Sequence, residues 1–286
     1  LDLLAAALGG PNALFRNDGR GYFTEERLDA PGDPVGSTTV AFADVEGDGD
    51  LALYIASYKT RRAQDIFTPQ ERAFDQVVRE VGRDSFTIVP RFRDWYRVVH
   101  RREHGAVTLS ERADPDRFYL NDGTGRFTLE PWTGGRFLDE DGRPLRSAPE
   151  WFGLAARFFD ADGDGDPDLY VTNDFEDPDL FFLNDGRGTF RAAPRTALRH
   201  TSNSSMAVDF ADVDRDGATD FLLVDMLARD PVRLRTQIPT HSTLPTLVGR
   251  IDDRPQMQQN TLFLGRGDGS WAEVARYAGL EGSELR

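Results

Sequence analysis

The sequence predicts an all-β protein made of repeated antiparallel units, and two recurring motifs support this prediction. The first is a run of alternating acidic residues, clearest in residues 160–168, which is followed at once by Leu169, Tyr170 and Val171. The second is an Asn-Asp-Gly tract between two apolar segments, as in residues 182–190. Short aromatic and β-branched runs that are bounded by such turn signals are typical of strands.

The acidic run has the ligand spacing of a calcium loop. Carboxylates fall at positions 1, 3, 5 and 9 of residues 160–168, and Gly165 stands at position 6, where it permits a sharp turn. Such a loop directs its oxygens at one point, and Ca²⁺ prefers roughly six to eight oxygen ligands at about 2.3–2.6 Å. Without a cation, carboxylates this close repel one another and raise their own pKa values. We therefore predict a calcium site here.

The spacing recurs in two further segments. We name the three segments loop 1 (residues 44–52), loop 2 (residues 160–168) and loop 3 (residues 212–220). An EF-hand shares the first six positions but needs a glutamate at position 12 and helices on both sides. Position 12 is apolar in all three loops (Ile55, Val171 and Leu223), and the flanking segments resemble strands. The sequence thus predicts calcium loops between strands and not EF-hands.

The Asn-Asp-Gly motif predicts hairpins that alternate with the acidic loops. It occurs in residues 14–23, 119–127 and 182–190, and a looser copy occupies residues 263–271. Asn, Asp and Gly tolerate the positive φ of tight hairpin turns. Asp18, Asp122 and Asp185 are therefore interpreted as turn residues rather than ligands.

Together the motifs predict four antiparallel strands per unit. Loops 2 and 3 begin 52 residues apart, which suits one blade of a β-propeller and is compatible with other repeat arrays. Closing such blades around an axis protects strand edges. We expect residues 1–286 to form a single propeller region, divided as follows: a partial blade 1–28, a blade 37–131 with an insertion 58–116, a blade 151–195, and a blade 205–278 with a long loop 228–259.

These repeats resemble a known family. Phe152-Gly153 before loop 2, the phrase 204–212 and the segment 260–264 are similar to the FG-GAP/VCBS repeats of integrin α-type β-propellers, and more specifically to bacterial relatives of cartilage acidic protein that carry an ASPIC/UnbV domain. The resemblance implies seven blades, of which this chain would cover about four. Asp2 would then occupy position 9 of a preceding loop, and roughly three blades would lie outside the sequence.

The resemblance also implies a ligand set, in which side chains at positions 1, 3, 5 and 9 and the carbonyl of position 7 bind Ca²⁺. In loop 2 these residues are Asp160, Asp162, Asp164, Asp168 and, through its carbonyl, Asp166. In loop 3 they are Asp212, Asp214, Asp216, Asp220 and the carbonyl of Ala218. In loop 1 they are Asp44, Glu46, Asp48 and Asp50, with Ala52 in place of the last acid, which leaves a weak or empty site.

The insertion has a different character from the repeats. Thr68 and Glu71 form a capping box, and apolar residues follow at i, i+3, i+4 and i+7 from Phe74 until Gly82, which predicts an amphipathic helix of about three turns. Residues 59–112 hold twelve Lys/Arg and eight Asp/Glu, in contrast to a net charge of −15 for the whole chain. This basic segment is either a partner-docking surface or a decoration that packs locally.

Composition excludes several functions. The acidic net charge argues against a nucleic-acid partner, which requires a basic face. The chain contains no cysteine, so thiol catalysis, disulfides and zinc–thiolate sites are excluded. No apolar run is long enough to span a membrane. The histidines and Ser204–Ser205 lack a catalytic arrangement, and Arg266-Gly-Asp268 is explained by turn chemistry.

The sequence therefore predicts a non-enzymatic, calcium-stabilised β-propeller that acts as a binding or structural scaffold for a protein or glycan ligand. Calcium loops of modest affinity suit the periplasm, the cell surface or the extracellular space. One alternative is the non-catalytic propeller part of an enzyme acting on polysaccharide or lipid. Another is a subunit of a larger envelope assembly, docked through residues 59–112.

Overall fold

A computed structural model of the chain describes residues 2–28, 35–83, 85–101, 106–175, 177–228, 230, 232–233 and 255–283. Within these ranges the regular structure is almost entirely strand, which confirms the all-β prediction. Most of the predicted long loop 228–259 lies outside the described residues. The chain divides into two compact units: a first unit of Leu1–Ser37, Tyr58–Asp114 and Glu150–Phe152, and a second unit of Thr38–Ser57, Pro115–Pro149 and Gly153–Arg286.

The strands are, in chain order, β1 Leu3–Ala5, β2 Leu8–Gly10, β3 Ala13–Asn17, β4 Phe23–Arg27, β5 Val35–Ala43, β6 Ala52–Ser57, β7 Val78–Gly82, β8 Ser85–Ile88, β9 Tyr96–Arg101, β10 Ala106–Glu111, β11 Arg117–Asn121, β12 Phe127–Glu130, β13 Phe137–Leu138, β14 Phe152–Phe159, β15 Asp168–Asp174, β16 Leu180–Asn184, β17 Phe190–Ala192, β18 Thr201–Ser202, β19 Ala207–Ala211, β20 Asp220–Val224, β21 Gln256–Met257, β22 Thr261–Gly265 and β23 Trp271–Glu273. The helical segments are short: α1 Phe74–Val77, α2 Ala275–Ala278, and the 3₁₀ turns Ala63–Asp65 and Pro90–Phe92.

The second unit contains three sheets that follow the predicted order of strands. The first is β12-β11-β6-β5, the second is β17-β16-β15-β14 with β13 added in parallel to β17, and the third is β19-β20-β22-β23. In each sheet, the four strands lie side by side in chain order, although β7–β10 intervene between β6 and β11 and β21 intervenes between β20 and β22. The Asn-Asp-Gly hairpins are confirmed as β11–β12 and β16–β17, and the looser copy is confirmed as β22–β23.

Aromatic side chains form the core of the second unit. Between its second and third sheets, Tyr170, Phe181, Phe221 and Trp271 are buried in one cluster. Aromatic rings lie at contact distance throughout this cluster; the centroids of Phe181 and Trp271, for example, are 5.3 Å apart. Burying aromatic rings supplies much of the hydrophobic stabilisation of a fold. The buried aromatic residues of β15 and β20 therefore hold in place the strands that follow loops 2 and 3.

In the first unit, β1, β3 and β4 form a three-stranded sheet, and β3–β4 is a further confirmed Asn-Asp-Gly hairpin in which Asn17 pairs with Phe23. The carboxylate of Asp18 accepts hydrogen bonds from the N–H groups of Arg20 and Tyr22 at 2.8 and 3.2 Å. Asp122 and Asp185 do the same in their own turns. The interpretation of these residues as turn formers is confirmed by these hydrogen bonds.

The insertion contains two hairpins, β7–β8 and β9–β10, instead of the predicted amphipathic helix. The capping box does form, since Thr68 and Glu71 exchange hydrogen bonds at 3.0 and 3.3 Å. It starts only a turn, however, and α1 ends at Val77. The prediction was wrong because β-branched Val77, Val78 and Val81 favour a strand, and because Val78 pairs with Ile88 of β8.

These hairpins enclose a hydrophobic core of their own. Its buried members are Ala63, Val77, Val78, Ile88, Phe92 and Tyr96. Of the apolar residues that suggested a helix, only Val77 and Val78 join this core, whereas Phe74 and Val81 are exposed.

Candidate metal sites

Each acidic loop connects two adjacent strands of one sheet. Loop 1 joins β5 to β6, loop 2 joins β14 to β15, and loop 3 joins β19 to β20. Strands and not helices thus flank all three loops, as the sequence predicts. The aromatic core anchors the strands, so the loops project from the ends of rigid elements.

Loop 2 gathers three carboxylates. One ligand oxygen from each of Asp160, Asp162 and Asp168 lies within 4.8 Å of the others. The Asp160 carboxylate accepts hydrogen bonds from the N–H groups of Gly163 and Gly165 at 2.8 and 3.0 Å, which curls the loop. Gly165 has a φ of 93°, a conformation that favours glycine and explains the residue at position 6.

Loop 3 gathers Asp212, Asp214 and Asp216 within the same 4.8 Å. Asp212 accepts hydrogen bonds from the N–H groups of Asp216 and Gly217, each at 3.1 Å, and so reproduces the curl of loop 2. The predicted ligand sets are therefore brought together in part. Asp164 lies outside the loop 2 group and Asp220 lies outside the loop 3 group.

The position-9 aspartates have a second role, which the ligand prediction did not include. Asp168 is fully buried, and its two oxygens accept the N–H groups of Ala161 in the loop and Asn184 at the end of β16, both at 2.8 Å. Asp220 does the same with Val213 and Gly265, both at 2.7 Å. Each of these residues ties the start of its loop to the neighbouring hairpin.

The position-7 residues pack against the hairpin of the same sheet. A Cβ added to Gly186 would lie 2.4 Å from an Asp166 carboxylate oxygen, and one added to Gly265 would lie 3.0 Å from the Ala218 Cβ. A Cβ added to Gly123 would likewise lie 2.6 Å from an Asp50 carboxylate oxygen. The glycines of the hairpins are therefore required by the loops that rest on them.

Carboxylate crowding is visible in the electrostatics of loops 2 and 3. Both Asp162 and Asp214 are exposed, but partial desolvation within the loop, followed by repulsion from Asp164, raises the pKa of Asp162. Partial desolvation and then repulsion from Asp216 likewise raise the pKa of Asp214. Burial raises the pKa of Asp168 to about 7, although its two N–H donors oppose the shift. Hard oxygen donors that repel one another at one point fit a hard divalent cation such as Ca²⁺.

Loop 1 differs from the other two loops. Asp44 accepts the N–H groups of Asp48 and Gly49 at 3.1 and 2.9 Å, so the backbone curl is kept. Among the residues that the structure describes, however, loop 1 has no group of three acidic ligands within 4.8 Å. Ala52 is buried at position 9, and Glu46 forms an ion pair with Arg136 at 3.1 Å.

Sequence reasoning missed a set of buried acids that recurs with the sheets. Asp116 precedes β11 and accepts hydrogen bonds from the Tyr54 hydroxyl at 2.6 Å and the Ser57 N–H at 2.7 Å. Asp179 precedes β16 and accepts hydrogen bonds from the Tyr170 hydroxyl at 2.9 Å and the Asn173 N–H at 2.8 Å. Both acids are buried, and burial raises the pKa of each to about 7.

The other two repeats place an asparagine where these have the aspartate. Asn260 precedes β22 and accepts the Asp225 N–H at 2.7 Å, and Leu222 stands where the tyrosine would be. In the first unit, Asn12 precedes β3 and accepts the Ala7 N–H at 2.9 Å, and Leu4 stands at the tyrosine position. Tyrosine thus accompanies aspartate, and leucine accompanies asparagine, because a buried carboxylate needs the extra donor and a neutral amide does not.

Ser205 and Asp268 also have structural roles. The Ser205 hydroxyl donates to Asp179 at 2.7 Å and so belongs to the buried acid set. Asp268 of the Arg-Gly-Asp tripeptide accepts the Ser270 N–H at 3.0 Å, as expected for a turn residue. His104 and His241 lie outside the described residues. No helix among the described residues is long and apolar enough to cross a bilayer.

Repeated four-stranded sheets with acidic loops between their strands define an all-β repeat protein. The FG-GAP-like repeat matches residues 1–55 and 160–223, which contain loops 1, 2 and 3. The chain therefore carries FG-GAP-like repeats.

Two other comparisons give no closer assignment. A solved lectin from Agrocybe aegerita, described as recognising non-reducing terminal N-acetylglucosamine, is 15% identical, with a TM-score of 0.32 over 95% of this chain and 61% of the lectin chain. This chain thus spans less than two thirds of the lectin's length. None of the curated proteins matches the chain.

Proposed function

We propose that the protein is a non-enzymatic, calcium-stabilised scaffold built as a β-propeller. The observation that carries this proposal is the grouping of three carboxylates within 4.8 Å in loop 2 and again in loop 3. An ion bound there offsets the repulsion among these acids and holds the loop between two strands. The FG-GAP-like repeats and the resemblance to bacterial relatives of cartilage acidic protein with an ASPIC/UnbV domain support a closed ring of blades.

The stabilisation is modest for each site but matters in total. For a Kd near ~10⁻⁴ M and ~1 mM free Ca²⁺, binding to the folded state alone contributes roughly 1.4 kcal/mol per site. Two such sites are a considerable part of a total stability of about 5–15 kcal/mol. Free calcium at this concentration is a feature of compartments outside the cytoplasm, which supports a periplasmic, cell-surface or extracellular location.

Calcium is accordingly expected to raise the melting temperature. With two sites of this affinity, ~1 mM Ca²⁺ should raise Tm by about 5–10 °C over EGTA, as measured by differential scanning calorimetry. The Asp162→Asn/Asp214→Asn variant should lose most of the calcium response, whereas the control Glu25→Gln, an exposed acid on β4, should keep it. Equal melting temperatures of the wild type in calcium and in EGTA would contradict the proposal.

The insertion supports a binding role for the scaffold. Its exposed basic residues include Arg61, Arg79, Arg83, Arg91 and Arg93. The Arg91 guanidinium lies 4.4 Å from the centroid of the Phe92 ring, an arrangement that holds part of this charge in place. We propose that this surface docks an acidic partner, such as a neighbouring subunit of an envelope assembly.

A charge-reversal experiment tests the docking surface. Arg79→Glu/Arg83→Glu/Arg93→Glu is expected to weaken binding to immobilised polyglutamate at least tenfold at low ionic strength, because charge attraction dominates such contacts. Arg126→Glu, an exposed residue of the β11–β12 turn, is the matched control and should bind as the wild type does. Unchanged binding by the triple variant would argue against this surface.

A further inference from the structure

Arg136 lies against loop 1 and forms an ion pair with one of its carboxylates. Its guanidinium is 3.1 Å from the Glu46 carboxylate and 3.3 Å from the Glu130 carboxylate. It also donates to the carbonyl oxygens of Arg187 and Gly188 at 3.3 Å. A fixed positive charge is thus surrounded by two carboxylates and two carbonyl groups, all within the second unit.

The environment of Arg136 is built closely around it. Its side chain is only 27% exposed and that of Glu46 is 29% exposed. A Cβ added to Gly188 would lie 2.9 Å from the Arg136 Nη1 and 3.0 Å from the Glu46 Cγ, so a larger residue would collide with the pair. Partial burial and several acceptors distinguish this contact from an exposed surface ion pair.

The repeat provides an internal comparison. The Arg136 carbonyl accepts the N–H of Phe190, the first residue of β17, at 2.7 Å. The Ala197 carbonyl accepts the N–H of Trp271, the first residue of β23, at 3.0 Å. Arg136 and Ala197 therefore occupy equivalent positions in successive repeats. The arginine contacts loop 1, which lacks the position-9 acid, whereas the alanine at the equivalent position of the next repeat carries no charge.

We propose that loop 1 holds no calcium and that the Arg136 guanidinium takes the place of the ion there. This inference rests on the proposed calcium role of loops 2 and 3. The residues of loop 1 do not fit the ion, since Ala52 supplies no oxygen ligand and Glu46 is already neutralised by Arg136. Loop 1 is then held by a covalently attached cation whose effect does not depend on the calcium concentration.

Calcium stoichiometry tests this inference. We expect equilibrium dialysis with Ca²⁺ to give one bound ion fewer for Asp160→Asn and one fewer for Asp212→Asn than for the wild type, and no change for Asp44→Asn. Loss of one ion in Asp44→Asn would overturn the inference and leave the proposed function intact. If Asp160→Asn and Asp212→Asn both bind as the wild type does, the proposed function fails, and this inference fails with it.

A thermal measurement tests the role of the guanidinium separately from calcium binding. Arg136→Gln is expected to lower Tm by roughly 3 °C, by the same amount in EGTA and in calcium, and Arg136→Lys should recover part of the loss. Arg126→Gln is the control for removing an exposed arginine. A Tm of Arg136→Gln equal to that of the wild type in EGTA would overturn the inference, as would a loss that appears only in calcium.

Discussion

Asp168→Ala is expected to lower the free energy of unfolding by about 3 kcal/mol even when no calcium is present. The substitution leaves the N–H groups of Ala161 and Asn184 without their buried acceptor, and each such loss costs about 1–3 kcal/mol. Urea denaturation in EGTA measures the effect directly. The same experiment in calcium should show a larger loss, since the ion also loses a ligand.

Asp162→Ala is the matched comparison, because Asp162 belongs to the same carboxylate group but is exposed. In EGTA its free energy of unfolding should be close to that of the wild type, since a mutually repelling carboxylate has been removed. In calcium, the free energy of unfolding of Asp162→Ala should be no higher than in EGTA as far as loop 2 is concerned, because this loop no longer binds the ion. Identical behaviour of the two variants in EGTA would show that Asp168 acts only as a ligand and not as a tie between loop and hairpin.

Tyr170→Phe is expected to destabilise the protein by about 1–3 kcal/mol near pH 8, because the Asp179 carboxylate loses a buried hydroxyl donor. Asp179→Asn in the same background should restore much of the loss, since Leu222 and Asn260 show that an amide needs no such donor. Thermal or urea unfolding of the two single variants and the double variant gives the coupling free energy. Additive losses would contradict the pairing of tyrosine with aspartate.

The pH dependence of the free energy of unfolding tests the pairing of Tyr170 with Asp179 independently. Burial raises the pKa of Asp179 to about 7, so the folded state binds a proton more tightly than the unfolded chain does. This contribution to stability is fully present below the unfolded pKa of about 4 and is lost as pH rises through about 7. Tyr170→Phe should steepen the fall between pH 5 and pH 8, because the hydroxyl favours the ionised form. Asp179→Asn should flatten it.

The local motifs predicted much of the fold because each of them encodes its own geometry. Asn184-Asp185-Gly186 specifies a tight turn, and Asp160 with Gly165 specifies a curled loop, irrespective of what packs around them. The insertion shows where this approach fails. Its apolar spacing at Phe74, Val77, Val78 and Val81 matches a helix, but the pairing of Val78 with Ile88 depends on a partner that lies ten residues further along the chain.

The buried acids were missed for a related reason. The chain contains 49 Asp and Glu residues, so an isolated Asp116 or Asp179 resembles the many acids of the surface. These acids can be recognised by their equivalent positions in two repeats. Each acid directly precedes the first strand of an Asn-Asp-Gly hairpin, and in the same repeat a tyrosine stands two residues after position 9 of the acidic loop. Alignment of the repeats on loop 2 makes Tyr54 equivalent to Tyr170 and Asp116 equivalent to Asp179.

The hydrogen bond between the Ser57 N–H and Asp116 closes a connection of 59 residues, whereas its counterpart between Asn173 and Asp179 closes one of only six. The strand ends that this hydrogen bond joins can thus be connected either by a short turn or by a folded segment with a core of its own. Because the entropy cost of closing a loop rises only slowly with its length, a long segment at this point costs the fold little more than a short turn does. A new surface can therefore be added here without rearranging the sheet below it.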